Sequence, residues 1–196
     1  MDQSEADTLR ALIEQNDGST ELQCGPYLKY AIDYLVPSTI ISHSATFEQR
    51  GFFGDADLVI SAEVNDDLNE KKQVAYIWEL KAPQCFVMQE DSNKNRYIPT
   101  MHFLKAENQL IHYYREAKGS DIFRVAFRIT ATDNIKMGGI IIGRSGDRLA
   151  AKCDQPAVRT KALQSLGLRR EILYQNHNIR VVHWDTILKF ILSTKK

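Results

Sequence analysis

The chain has 196 residues, with 25 Lys+Arg balanced by 25 Asp+Glu, 43% hydrophobic and 9% aromatic side chains. That composition suits one domain with a buried core and argues against wholesale disorder. The longest apolar runs, such as 137–142, fall far short of the roughly 18 residues a membrane span needs, so no membrane partner is expected.

The acidic N-terminus, Met1-Asp2-Gln3-Ser4-Glu5, does not read as a secretory leader. Cys24, Cys85 and Cys153 are too few and too far apart for a disulfide framework or a CxxC zinc pair. The expectation is a cytoplasmic protein in which 1–196 form one domain and 1–18 a helical extension.

In chain order, residues 4–15 carry Leu9, Leu12 and Ile13 at helical spacing. A turn at Asn16-Asp17-Gly18 leads to a second helix, capped by Ser19 or Thr20, that runs to about 34 with Pro26 near its start. Strands are expected at 39–46, 52–62 and 73–80, with a polar hairpin loop at 65–72. Residues 89–97 read as a polar loop. A helix over 101–117 has Phe103, Leu104, Ile111 and Tyr114 on its apolar face. Strands at 122–130 and 139–143, a basic helix at 157–174, a strand at 179–183 and a helix at 186–192 capped by Asp185 complete the order. The fold class is α/β, a central mixed β-sheet flanked by helices.

Charge is divided along the chain. Residues 1–135 hold 13 basic and 21 acidic side chains, a net −8; residues 136–196 hold 12 and 4, a net +8. A metal enzyme acting on an anionic polymer can use such a division; the plainer alternative is that the two halves pack together and cancel.

The chemistry concentrates in Gly54-Asp55-Ala56-Asp57 and Trp78-Glu79-Leu80-Lys81. Residues i and i+2 of a strand share a face, so Glu79 and Lys81 project together while Leu80 turns to the core. Pairing across the polar loop brings Asp57 beside Glu79. Two carboxylates and an ammonium at a strand end suit Mg²⁺ or Mn²⁺, with Lys81 offsetting charge or orienting a hydroxide. The plain alternative is a surface ion pair worth under about 1 kcal/mol. The neighbours Ile77, Trp78, Leu80 and Ala82 disfavour it, because burying an unpaired Glu is costly.

This D-x(n)-E-x-K arrangement resembles the PD-(D/E)xK nuclease superfamily, with Ala56 where the motif usually has Pro. Gln109 and Tyr113, a Q-x-x-x-Y pair one helical turn apart, are similar to a motif found beside the metal in its helicase-associated and exonuclease branches. Ile140-Ile141-Ile142-Gly143-Arg144, a basic helix and the closing His183-Trp184-Asp185-Thr186-Ile187 look like the nuclease domain of Shedu anti-phage defence proteins. The closing segment is a loose match to that family's T-Y-D-x-L, and the likeness spans about 19–192.

The resemblance implies a restriction-endonuclease-like fold and a Mg²⁺-dependent DNA endonuclease or nickase. Asp57, Glu79 and the backbone of Leu80 would hold the metal, Lys81 would assist the attacking water, and Gln109 would position it. Glu21 corresponds to an upstream glutamate ligand or is a first-turn helix residue. Asp55 is a further ligand or a turn residue. Tyr113, Arg144, Arg159, Lys161, Arg169 and Arg170 are candidates for nucleic-acid contact, against solvated-face or core roles. A homodimer or higher assembly through Phe190 and Ile191 is expected. The alternatives are a repair or recombination nuclease of this fold and a catalytically inactive nucleic-acid-binding module.

Overall fold

A computed structural model describes residues 1–37, 39–47, 56–65, 69–92 and 95–194. Helices Gln3–Glu14 (α1), Glu21–Cys24 (α2) and Ile32–Leu35 (α3) come first, with a 3-10 stretch over Gly25–Tyr30. Strands Ile40–Phe47 (β1), Leu58–Asn65 (β2), Lys71–Leu80 (β3), Met88–Asp91 (β4) and Arg96–Pro99 (β5) follow. Helices Met101–Gly119 (α4) and Asp121–Ala126 (α5) precede strand Ile135–Ile141 (β6). Helix Pro156–Arg169 (α6) runs into a π-helical turn over Arg170–Tyr174, and strand Arg180–Val182 (β7) and helix Trp184–Ser193 (α7) close the chain.

Five strands form one mixed sheet in the order β1-β2-β3-β6-β7. The first three are an antiparallel meander, and β6 and β7 add in parallel beside β3. Both faces of β3 are buried, which is why it reads as a near-continuous apolar run. Ala75 and Ile77 face a core shared with Phe103, Leu110 and Phe123, on the side of α4, α5 and α6. Val74, Tyr76, Trp78 and Leu80 face a second core with Leu9, Ile13, Leu35 and Trp184, on the side of α1, α3 and α7. Residues 1–18 are therefore joined to the body of the fold: α1 buries Ala6, Leu9 and Ile13.

Local signals explain most elements. Asp2 and Glu5 close a capping box on α1, and Thr100 caps α4 by accepting the Phe103 N–H at 3.3 Å. The long second helix is not formed. Pro26 lies in the 3-10 stretch that separates α2 from α3.

Four further expectations change. Residues 122–130 do not form a strand: Ser120 caps a helix there, Phe123 and Phe127 meet one turn apart with centroids at 4.6 Å, and Ile122 and Val125 are exposed. The polar stretch 89–97 lies within the β4–β5 hairpin. On α4 the buried stripe is Phe103, Ala106, Leu110, Tyr113 and Ala117, leaving Ile111 exposed. Asp185 does not cap α7; His183 holds that position, and the Asp185 carboxylate accepts the Ser145 N–H at 2.8 Å. No helix among the described residues is long and apolar enough to cross a membrane.

Candidate functional site

The site forms where the meander meets the parallel half of the sheet, at the carboxyl end of β3. Antiparallel register pairs Leu58 with Trp78, which brings Asp57 opposite Glu79 at the next step. Asp57 Oδ2 accepts the Leu80 N–H at 2.8 Å, so the carboxylate is aimed by the backbone of the neighbouring strand. Glu79 is fully buried, and Lys81 Nζ donates to its Oε1 at 2.5 Å and to the Leu80 carbonyl at 3.0 Å. Glu79 Oε2 is buried without a hydrogen-bond partner.

Electrostatics follow from this crowding. Burial, then repulsion from Asp57, pushes the Glu79 carboxyl up to about 8, with the Lys81 ammonium opposing. For Lys81, burial favours the neutral amine, but Glu79, Asp57 and Glu21 outweigh it and raise its pKa, so it stays cationic. At neutral pH Glu79 therefore keeps its proton, because a single ammonium does not offset its burial and the Asp57 carboxyl beside it.

Glu21 joins this group. Its pKa is raised by burial and by Asp57, with the Lys81 ammonium and the Ala82 backbone N–H opposing. Gln84 fixes the approach of α2: its Nε2 donates to Leu12 O at 3.1 Å and Gln15 O at 2.9 Å, and the Thr20 hydroxyl donates to its Oε1 at 3.2 Å. His102, on the first turn of α4, also couples electrostatically to Glu21. Cys85 is half-buried, with its thiol pushed up by burial and by Glu21.

Mg²⁺ can be tested against this donor set. Among the described residues, no group of three or more His, Cys, Asp or Glu is placed to hold a metal. Two hard carboxylates, one with an unpartnered buried oxygen, still match an ion that keeps most of its waters and takes one or two protein carboxylates. The fit is thus to Asp57 and Glu79. The Leu80 backbone contributes differently from the expectation, since its carbonyl accepts Lys81 and its N–H orients Asp57.

Other expected residues divide. Gln109 and Tyr113 lie on the face of α4 turned to the sheet, Gln109 Nε2 donating to Tyr113 Oη at 3.4 Å, with Tyr113 in the core on the α4 side. Asp55 lies outside the described residues. Arg144 is 6% exposed and fully engaged: it donates to Ile13 O at 2.5 Å, Gln15 O at 3.1 Å and Asn16 Oδ1 at 3.1 Å, and it pairs with Asp147. It fastens α1 to the segment after β6 and has no donor left for phosphate.

Arg169 forms a two-pronged pair with Glu107 and bonds Tyr174 Oη at 2.8 Å, and Arg170 donates to Val181 O at 2.8 Å. Arg159 and Lys161 each make one hydrogen bond on the exposed side, to Gly146 O at 3.0 Å and Asn95 Oδ1 at 2.7 Å. At Gly143 the backbone packs closely on the segment after β3, where a Cβ would lie 2.6 Å from Cys85 O.

Sequence reasoning missed Gln84, Cys85, His102 and Trp184. The first two follow directly on the E-L-K-A strand end and carry no motif of their own. Trp184 did give a signal, because a buried indole N–H seeks a partner. No family model, curated protein or solved structure matches the chain.

Proposed function

We propose that this chain is a metal-dependent deoxyribonuclease of the PD-(D/E)xK superfamily with a restriction-endonuclease-like fold, an endonuclease or nickase of the Shedu kind in cytoplasmic anti-phage defence. The observation that carries this reading is the fully buried Glu79, held by the Lys81 ammonium at 2.5 Å and crowded by the Asp57 carboxyl at the end of β3. A structural ion pair needs one carboxylate per ammonium, whereas Asp57 beside Glu79 raises the cost of ionising both. A mixed α/β sheet with Glu79 and Lys81 at the carboxyl end of β3, beside the parallel β6, supports it further.

Asp57 and Glu79 would hold Mg²⁺ or Mn²⁺, with Glu21 close by. The bound ion would polarise the scissile phosphate and lower the pKa of its water. Lys81 offsets charge developing on the phosphate and steadies the attacking hydroxide, and its raised pKa keeps it charged for that task. Gln109 positions water or phosphate from α4. DNA is the substrate, and double-strand cleavage calls for two copies. The interface expected on α7 loses its residues, since Ile191 is 2% exposed and Phe190 packs on Tyr34 with centroids at 5.1 Å.

A second reading, a nucleic-acid-binding module without a working site, draws on the absence of a three-ligand cluster among the described residues. The deciding experiment sets linear, supercoiled and single-stranded DNA side by side in Mg²⁺ and in EDTA, with Lys81→Ala as control. Cleavage is expected in Mg²⁺ alone and is expected to disappear in Lys81→Ala while folding persists. Wild-type-rate cutting by Lys81→Ala would sink the catalytic assignment. No cutting and no Mg²⁺ heat by calorimetry would favour the binding module.

A further inference from the structure

β3 ends at Leu80, yet the next residue is held on both sides of its backbone. The Lys81 N–H donates to Ile141 O at 2.8 Å. Its carbonyl accepts the indole N–H of Trp184 at 2.7 Å. Trp184 is itself fixed: it is 1% exposed, and its backbone N–H donates to Gly143 O at 3.0 Å. The bond is not a general habit of indoles in this fold, because Trp78 Nε1 is buried with no partner.

We propose that Trp184 is a positioning residue for Lys81. By holding the Lys81 carbonyl, it fixes the point from which a flexible four-carbon stem must reach the Glu79 carboxylate. The significance of Lys81 rests on the nuclease reading; the indole bond does not. A displacement of about 1 Å in a reacting constellation can cost about a hundredfold in rate. The same bond gives the α7 start a role in the site, although α7 packs on the opposite face of the sheet from Glu79.

Trp184→Phe keeps most of the ring and removes the N–H. The expected result is a folded protein whose Mg²⁺ affinity and KM for DNA stay within about twofold, while kcat falls about tenfold to a hundredfold. Leu188→Ala, which weakens the same helix without touching Lys81, should lower Tm and keep kcat. A second readout needs no cleavage: the rate of reductive methylation at Lys81 Nζ, followed by mass spectrometry. It should be slow in wild type and Leu188→Ala and faster in Trp184→Phe.

If Trp184→Phe does not fold, a benzothiophene isostere of tryptophan at position 184 replaces the N–H with sulfur at nearly constant shape. Faster labelling of Lys81 there supports the proposal. Equal labelling rates in wild type and the N–H-deleted protein overturn it, as does an unchanged kcat. If wild type cuts no DNA, the nuclease reading falls, and the labelling comparison still decides the role of Trp184.

Discussion

At the scale of single residues, Glu79 sets the energetics of the site. Its folded pKa of about 8 lies well above the ordinary carboxyl value of 4.5. The folded state therefore holds a proton that the unfolded chain has released, so stability falls as pH rises between those two values. The contribution is fully present below about pH 4.5 and lost once pH passes about 8. In EDTA, wild-type Tm should drop by several degrees more than that of Glu79→Gln over this window. Mg²⁺ should restore the difference, more at pH 8 than at pH 6, because a cation takes the place of the retained proton. Parallel Tm-versus-pH curves for the two proteins would remove Glu79 as the source.

At the scale of elements, the strand end at Glu79 and Lys81 was legible because the period of a strand is fixed and Asp57 needed only a hairpin to reach it. The helix over 121–126 was not. Phe123, Val125, Phe127 and Ile129 alternate as in a strand, and what decides against it is a Ser120 cap together with two phenylalanines one helical turn apart, local signals weaker in sequence than the alternation. The scaffold behind Lys81 was half legible. Gly143 stood in the sequence only within the Ile140–Arg144 stretch, and in the fold it adopts a left-handed φ of 60°. A Cβ there would lie 2.6 Å from Cys85 O, beside the carbonyl that anchors Trp184. Gly143→Ala should therefore cost about 1–3 kcal/mol, seen as a lower urea midpoint at unchanged slope. A midpoint within error of wild type would mean that the segment shifts freely, and that it does not hold the site.

For the whole molecule, the division into a −8 segment and a +8 segment overstates the basic surface. Arg144, Arg169, Arg170 and Arg180 all spend their guanidiniums on carbonyls or carboxylates of the fold, Arg180 on Tyr34 O at 2.5 Å. Sequence could not reveal this, because a decisive partner of each is remote in the chain, from 11 positions for Arg170 to 146 for Arg180. For the proposed nuclease, the phosphate path then shifts from Arg169 to the opening of α6, where the half-buried Arg159 and Lys161 make one hydrogen bond each, as Arg170 does. The loop before α6 runs beside the residues that follow Lys81, since Val87 N donates to Arg148 O at 3.0 Å. Joint reversal, Arg159→Glu with Lys161→Glu, should weaken binding to unrelated DNA sequences alike. It should also make log Kd against log salt shallower by about two units, one per lost contact. Arg169→Glu should behave differently. It sets a carboxylate against the half-buried Glu107, so Tm falls while the salt slope of the protein that remains folded is unchanged. Fluorescence anisotropy across a salt series separates the two. An unchanged slope in the Arg159/Lys161 variant would move the DNA path away from α6, and a shallower one in Arg169→Glu would return it to the helix end.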